Sequence, residues 1–280
     1  MLVSELINFG SKVLKQNKIT SHLLDSELIV SNILKKSREK VLVSFEEVVS
    51  KNTIYAFQKL LKRRITKEPI AYIFREKEFW KNKFLVNEHT LIPRPETELL
   101  VEKILDNFKN RKIFILDIGI GTGCILLTLL DELKKSQGIG IDLSSKAVSL
   151  AKKNLEKMKL SNRCKFYNRD LNEIFGYKFD LIVSNPPYIC SSQLKNLSSD
   201  VKQFEPRLAL DGGNDGLDVV RKVIYKSKDI LKKKGMLALE IGFGQYKKVS
   251  QILKLAGFKE KFLVKDYQNN IRCVLAILER

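Results

Sequence analysis

Cysteine and histidine are scarce: the 280-residue chain has four of the first and two of the second. Cys124, Cys164, Cys190 and Cys273 are scattered without a C-x-x-C pair, and the only histidines are His22 and His89. A disulfide framework and a zinc site are therefore not expected, and no residues are assigned to a metal. No apolar run approaches the ~20 residues a membrane helix needs. The first residues, MLVSELINFGSKVLKQNK, are amphipathic and charged throughout, without the apolar centre of a signal peptide. A reducing cytoplasm is the expected setting. Acidic groups are also in short supply, 32 against 51 lysines and arginines, which leaves a net charge of +19. Such an excess invites a nucleic-acid or ribonucleoprotein partner. The lysines are nevertheless spread along the whole chain, as biased base usage alone would leave them, so a basic face and a compositional origin both stay open.

What is present reads as an ordinary globular chain, 44% hydrophobic and 30% charged, long enough for one large α/β domain and a smaller one. From Leu2 to about Thr66 apolar residues recur at helical spacing: Leu6, Ile7, Val13 and Leu14, then Leu23, Leu24, Leu28 and Ile29, then Ile54, Phe57, Leu60, Leu61 and Ile65. This predicts a small helical domain over 1–68, ended by Pro69. AYIF followed by EFWKNKFLV predicts a β-hairpin turning at Lys81-Asn82, a linker over 69–90. Beyond it, over 91–280, strand and helix alternate. A helix is expected from about Glu96 to Phe108, behind a proline and with acidic residues in its first turn. Strands are expected near Ile113–Asp117, Gly138–Asp142, Lys165–Asn168, Phe179–Ser184 and Met236–Ile241. The alternation predicts a doubly wound sheet with right-handed crossovers. The end differs: FKEKFLVKDYQNNIRCVLAIL has no room for a helix and predicts an antiparallel hairpin at the sheet edge.

The chemistry-bearing residues sit where those strands end. The first strand runs into DIGIGTG, residues 117–123, whose glycines let the backbone turn tightly against a ligand. A dinucleotide fingerprint needs its third glycine one place later, where Cys124 stands, so a nicotinamide cofactor is disfavoured. No lysine follows in a Walker pattern. Asp142 ends the second strand about 20 residues beyond the loop, where a carboxylate accepts both hydroxyls of an adenosine ribose. Capping of the next helix belongs better to Ser144. Asp170, after the third strand, is placed for an adenine amine with Leu171 as its apolar neighbour, or is a solvated loop aspartate. The fourth strand, FDLIV, runs into SNPPYI. Pro186 and Pro187 lack N–H groups and fix φ, and Asn185 before them is held extended. The result is a simple strand-ending turn or a rigid ligand platform at the carboxyl end of a central strand.

A glycine loop, a ribose-binding aspartate and Asn-Pro-Pro-Tyr together point to methyl transfer from S-adenosylmethionine to a planar, conjugated nitrogen. Such a nitrogen is a poor nucleophile. The Asn185 side-chain oxygen and the Pro186 carbonyl each accept one of its N–H groups, in bonds that strengthen as positive charge develops there. Tyr188 lies against the flat group and fixes its plane. No strong general base is needed, because the methylated nitrogen is acidic until it loses its proton.

Over nearly its full length the sequence also resembles the protein-(glutamine-N5) methyltransferases of peptide chain release factors, the PrmC/HemK family. The matching stretches are EPIAYI at 68–73, LIPRPETE at 91–98, DIGIGTG, NPPYI at 185–189 and EPRLALDGGNDGLD at 205–218. The last of these separates the family from DNA adenine methyltransferases, which share Asn-Pro-Pro-Tyr. The resemblance implies a class I methyltransferase fold: a Rossmann-like, seven-stranded sheet with a terminal antiparallel hairpin, plus the N-terminal helical domain as a substrate-recognition module. It implies cofactor contacts at Asp117, Ile118, Gly119, Ile120 and Gly121, at Asp142, Asp170 and Leu171, and at Asn185. The substrate glutamine, from the Gly-Gly-Gln motif of class I release factors, would be held by Asn185, Pro186, Pro187 and Tyr188. Transient proximity to the ribosome is implied; stable nucleic-acid or membrane binding is not. Three positions depart from the family pattern: Arg75 stands where glycine is usual, Asp211 where an apolar residue is common, and Leu171 where an aromatic is frequent. Two rival readings remain from the residues themselves, a nucleic-acid amino-methyltransferase that captures a base against Tyr188 and a non-catalytic module that docks on release factors.

Overall fold

The computed structural model describes residues 1–279. They form two compact units, Met1–Arg75 with Ser198–Phe204, and Glu76–Leu197 with Glu205–Arg280.

The first unit is helical: α1 (Val3–Gln16), α2 (His22–Leu34), α3 (Arg38–Leu42), α4 (Lys51–Ile65) and α5 (Ile70–Phe74), joined by the short α9 (Ser199–Phe204) from later in the chain. Leu6, Ile7 and Leu14 of α1 pack with Ile29 and Val30 of α2 and with Phe57 and Leu61 of α4. The expected apolar face of α2 is corrected in part. Leu23 and Leu24 are exposed, while Asp25, Ser26 and Glu27 are buried. Their burial is compensated: Asp25 accepts from the buried Arg64 guanidinium at 2.7 Å, Glu27 from Arg38 at 2.6 Å, and Ser26 donates to the Ile7 carbonyl at 2.7 Å.

AYIF is helix, not strand. Pro69 is pre-set to start a helical turn, and its carbonyl accepts from both Tyr72 and Ile73. Arg75 then stops the helix in the left-handed conformation, at φ 58°. The glycine usual in the resembled family at this place is thereby explained, since glycine adopts that conformation without a Cβ penalty.

The second unit opens with the hairpin of β1 (Glu76–Phe79) and β2 (Asn82–Leu85). Phe79 pairs with Asn82, so the turn is Trp80-Lys81, one residue earlier than the sequence suggested. Trp80 takes a positive φ of 56° and is held there by Glu98, which accepts its backbone N–H at 2.9 Å, and by Glu132, which accepts its indole N–H at 2.9 Å. Phe79 and Phe84 enter the core of this unit.

The main sheet contains β3 (Phe114–Ile118), β4 (Gln137–Asp142), β5 (Cys164–Asn168), β6 (Phe179–Ser184), β7 (Leu231–Glu240), β8 (Phe258–Lys265) and β9 (Ile271–Leu278), in the order β5-β4-β3-β6-β7-β9-β8. The first five are parallel and β9 runs antiparallel to both its neighbours. Alternate residues serve two cores. Ile115, Leu181, Val183 and Ala238 face α6 (Pro95–Phe108), α7 (Cys124–Glu132) and α8 (Ser145–Lys157), while Leu116, Ile182, Leu237 and Leu239 face α10 (Asp218–Ile230) and α11 (Tyr246–Leu255). A parallel sheet buried on both faces is what the β-branched runs predicted. Strand order reverses between β3 and β6, which opens a crevice at their carboxyl ends.

Candidate active site

A cavity of about 320 Å³ occupies that crevice. On one side it is lined by the turn after β3, where Ile118 to Gly121 lie, and by Asp142, Asp170 and Leu171; on the other by Asn185, Pro186 and Pro187. The residues singled out in sequence are thus brought together, with two exceptions. Asp117 is behind the wall, 1% exposed, and Tyr188 is outside the lining.

The turn after β3 is built to approach a ligand. The N–H groups of Gly119 and Ile120 both donate to the Ile141 carbonyl, tying the turn to β4. Gly119 and Gly121 have φ of 76° and 51°, and a Cβ on either would meet open space, which is where a ligand can lie on bare backbone. Asp142 accepts from Gly121 N–H at 3.0 Å and Ser144 N–H at 2.8 Å, and Ser144 caps α8 by accepting from Ala147 at 3.2 Å. Burial raises the Asp142 carboxyl, and these backbone N–H groups oppose the rise. Asp170 Oδ1 accepts from Asn172 N–H at 2.8 Å and so caps the short turn that carries Leu171.

Asp117 has neither carboxylate oxygen hydrogen-bonded. Burial pushes its carboxyl up to about 7, and the charge of Asp142 adds to the rise. The Leu126 backbone N–H opposes that rise only in part, and a buried carboxylate so weakly satisfied, beside an open glycine turn, suits a cationic or donor-rich ligand group. These features fit S-adenosylmethionine, which carries ribose hydroxyls, an adenine amine and an ammonium group.

At the end of β6, Ser184 donates to the Ile118 carbonyl at 2.7 Å and fixes the two strand ends to each other. Asn185 Nδ2 donates to Thr97 Oγ1 at 3.2 Å, and Thr97 donates to Glu240 Oε2 at 2.6 Å. Glu240, at the end of β7, is fully buried. Burial raises its carboxyl, opposed by the Thr97 bond and by the Arg272 charge. Tyr188 points its hydroxyl at Glu240, 3.5 Å away, and the Arg272 guanidinium lies over its ring at 5.7 Å. Burial and Glu240 push the Tyr188 phenol up to about 12, so it remains a neutral donor.

Two further motifs clamp this turn. Gln245 donates to the Tyr188 carbonyl at 2.8 Å, and Gly212 N–H donates to the Ile189 carbonyl at 2.8 Å. A Cβ on Gly216 would stand 2.4 Å from the Tyr188 oxygen, so glycine is needed for the close approach. Asp211 accepts from Ser191, Arg207 and Gly213 N–H, a staple for which an apolar residue could not substitute. Buried Glu205 accepts from Arg94 at 2.5 Å and from Ile92 N–H at 3.3 Å, joining LIPRPETE to EPRLALDGGNDGLD. Thr97, Glu240, Arg272 and Gln245 had no assigned role in the sequence. Thr97 sits inside LIPRPETE, the one available signal.

The fold and the cavity define an S-adenosylmethionine-dependent methyltransferase. Residues 95–203 match the methyltransferase small domain, and residues 5–74 match the PrmC N-terminal domain. The chain is 36% identical to a release factor glutamine methyltransferase of Caulobacter vibrioides over 94% of this chain and 92% of that one. It is 36% identical to another from Clostridium acetobutylicum over 99% of each. A crystal structure of a methyltransferase from Pyrococcus furiosus shares the fold at a TM-score of 0.52 and 15% identity, over 80% of this chain and 98% of that one. The chain belongs to the release factor glutamine methyltransferase family. Among the described residues no helix is long and apolar enough to cross a membrane.

Proposed function

We propose that this chain methylates the side-chain amide nitrogen of the glutamine in the Gly-Gly-Gln motif of class I peptide chain release factors, with Asn185, Pro186 and Tyr188 as the catalytic groups. The observation that carries this reading is the rigid Asn-Pro-Pro-Tyr turn at the rim of the cavity, anchored from behind by Thr97, Glu240 and Gln245. S-adenosylmethionine supplies an electrophilic methyl: the nitrogen–carbon bond forms as the sulfur–carbon bond breaks, and S-adenosylhomocysteine and one proton leave.

Asn185 Oδ1 and the Pro186 carbonyl accept the two N–H groups of the substrate amide and turn its lone pair toward the methyl. Both bonds strengthen as the nitrogen becomes positive, so the transition state is held more tightly than the ground state. Pro187 keeps the turn stiff. Tyr188, backed by Arg272, sets the plane of the amide. The proton lost from nitrogen passes to water. Asp142 would hold the ribose hydroxyls, Asp170 and Leu171 would meet the adenine, Ile118 to Gly121 would cover the chain between the two ends, Asn185 would complete the pocket beside the reacting methyl, and Asp117, just behind the wall, would answer the ammonium end.

The N-terminal helices, 1–68, recognise the release factor, and the hairpin region, 69–90, joins them to the catalytic part, 91–280. The encounter takes place in the cytoplasm, in passing proximity to ribosomes and without stable nucleic-acid binding. Incubation with labelled cofactor, intact release factor, DNA and RNA tests the reading. Label should enter the release factor; label in nucleic acid instead overturns it, and tight binding of the factor with no label transferred makes the chain a docking module.

A further inference from the structure

We propose that Thr97 is a positioning residue for the reaction: its hydroxyl links Glu240 to the Asn185 amide and dictates that Asn185 presents Oδ1, not Nδ2, to the substrate. The inference rests on the reading of Asn185 as the group that accepts the substrate amide.

A threonine hydroxyl has one hydrogen and two lone pairs. The 2.6 Å contact to Glu240 Oε2 uses the hydrogen, because an ionised carboxylate only accepts. Burial raises the Glu240 carboxyl, and the Thr97 hydroxyl, the Arg272 charge and the Asn185 amide oppose that rise, so it is the 2.6 Å bond itself that sets the sense of the hydroxyl. Only lone pairs of Thr97 Oγ1 are then available to Asn185, which lies 3.2 Å away and must turn its NH2 toward them. The opposite edge of the same amide carries Oδ1. Thr97 and Asn185 both line the cavity, so that edge is the one offered to a bound amide. Without the hydroxyl, Asn185 loses its 3.2 Å partner and only the Glu240 carboxylate behind it still favours the NH2, so rotation by half a turn, which presents a donor where an acceptor is required, becomes easier. Two N–H donors then face each other, and the substrate bond is lost.

The chain brings these partners from distant places. Thr97 lies in the first turn of α6, Asn185 follows β6, and Glu240 ends β7, 143 residues from Thr97. The first turn of α6 is in turn pinned through Arg94, whose guanidinium is paired with buried Glu205. The acidic–polar run ETE is thus used twice, with Glu98 holding the hairpin at Trp80 and Thr97 holding the catalytic amide.

The test is single-turnover methylation of intact release factor by the full-length chain, with cofactor affinity measured alongside. Thr97→Val, which keeps the shape and removes the hydroxyl, should slow transfer by ~10²-fold, the scale of a misplaced reacting group, while cofactor affinity stays near wild type. Thr97→Ser should recover most of the rate. Thr97→Val added to Asn185→Ala should cost nothing further, because both act through one amide. Wild-type transfer by Thr97→Val, or a loss that multiplies with that of Asn185→Ala, overturns the inference. If Thr97→Val does not bind cofactor, Thr97→Cys carries the test, since a thiol is a weak donor and acceptor; an undiminished rate there also overturns it. Should Asn185→Ala itself transfer at the wild-type rate, the functional reading of Asn185 fails with it, and that result is distinct from a failure of Thr97 alone.

Discussion

At the scale of the residue, two side chains are decisive, Asn185, whose amide nitrogen is committed to Thr97, and Asp117, whose buried carboxylate is not. Asn185 donates to Thr97, and in the proposed mechanism its oxygen accepts the substrate amide. Asn185→Ala should therefore lower single-turnover transfer by the ~10²–10³-fold typical of losing one preorganised partner, with cofactor affinity suffering less. Asn185→Asp, which retains an acceptor, should keep more activity than alanine; equal losses in the two variants would assign the role to the amide N–H instead. Asp117 is the converse case, a buried carboxylate with no full hydrogen bond and only the backbone N–H of Leu126 to oppose its burial. Its value in the folded protein, about 7, is raised by burial above an ordinary value of 3.8. Folding without cofactor thus favours the protonated form, and the stability it contributes below pH ~4 is lost as pH rises through about 7. Asp117→Asn should be more stable than the cofactor-free wild type at pH 8, with the difference vanishing near pH 4, and should bind cofactor more weakly. Superimposable pH–stability curves from urea unfolding would contradict this.

Elements were legible in the sequence in proportion to how local their causes are. The strand Phe179–Ser184 was read to the residue, since a β-branched run ended by Asn-Pro carries its own boundaries. AYIF was misread as strand: four apolar residues fit either period, and the deciding contacts are backbone bonds to Pro69. The exposed Leu23 and Leu24 and the buried Asp25 were illegible for a different reason, because Arg64, which makes that burial tolerable, lies 39 positions away. The same distance limit hid Glu240, which ends a strand but stands in no motif, whereas Asp142 lies at a telling distance from the glycine loop and Asn185 opens Asn-Pro-Pro-Tyr. Arg75 gives an element-level test. It stops α5 at φ 58°, where any Cβ is strained. Arg75→Gly should stabilise the protein by ~1 kcal/mol in thermal or urea unfolding; a loss of stability would mean that the arginine side chain holds more than its backbone costs.

On the scale of the whole molecule, the cavity lies within one of the two units. Every residue lining the cavity belongs to Glu76–Leu197 or Glu205–Arg280, and the first unit contributes none. A chain begun at Glu76 should accordingly bind cofactor much as the full chain does and methylate intact release factor poorly. Undiminished methylation by that chain would give the N-terminal helices another purpose. The +19 charge is the one global feature for which the cavity offers no use, and it bears on the choice between a protein and a nucleic-acid substrate. The measurement that reaches the central claim most directly is mass-spectrometric mapping of the methyl group on a class I release factor after incubation with this chain and S-adenosylmethionine. One methyl on the side-chain nitrogen of the Gly-Gly-Gln glutamine is the predicted result, and a methyl on any other residue, or a methylated nucleic acid beside an unmodified release factor, would contradict it.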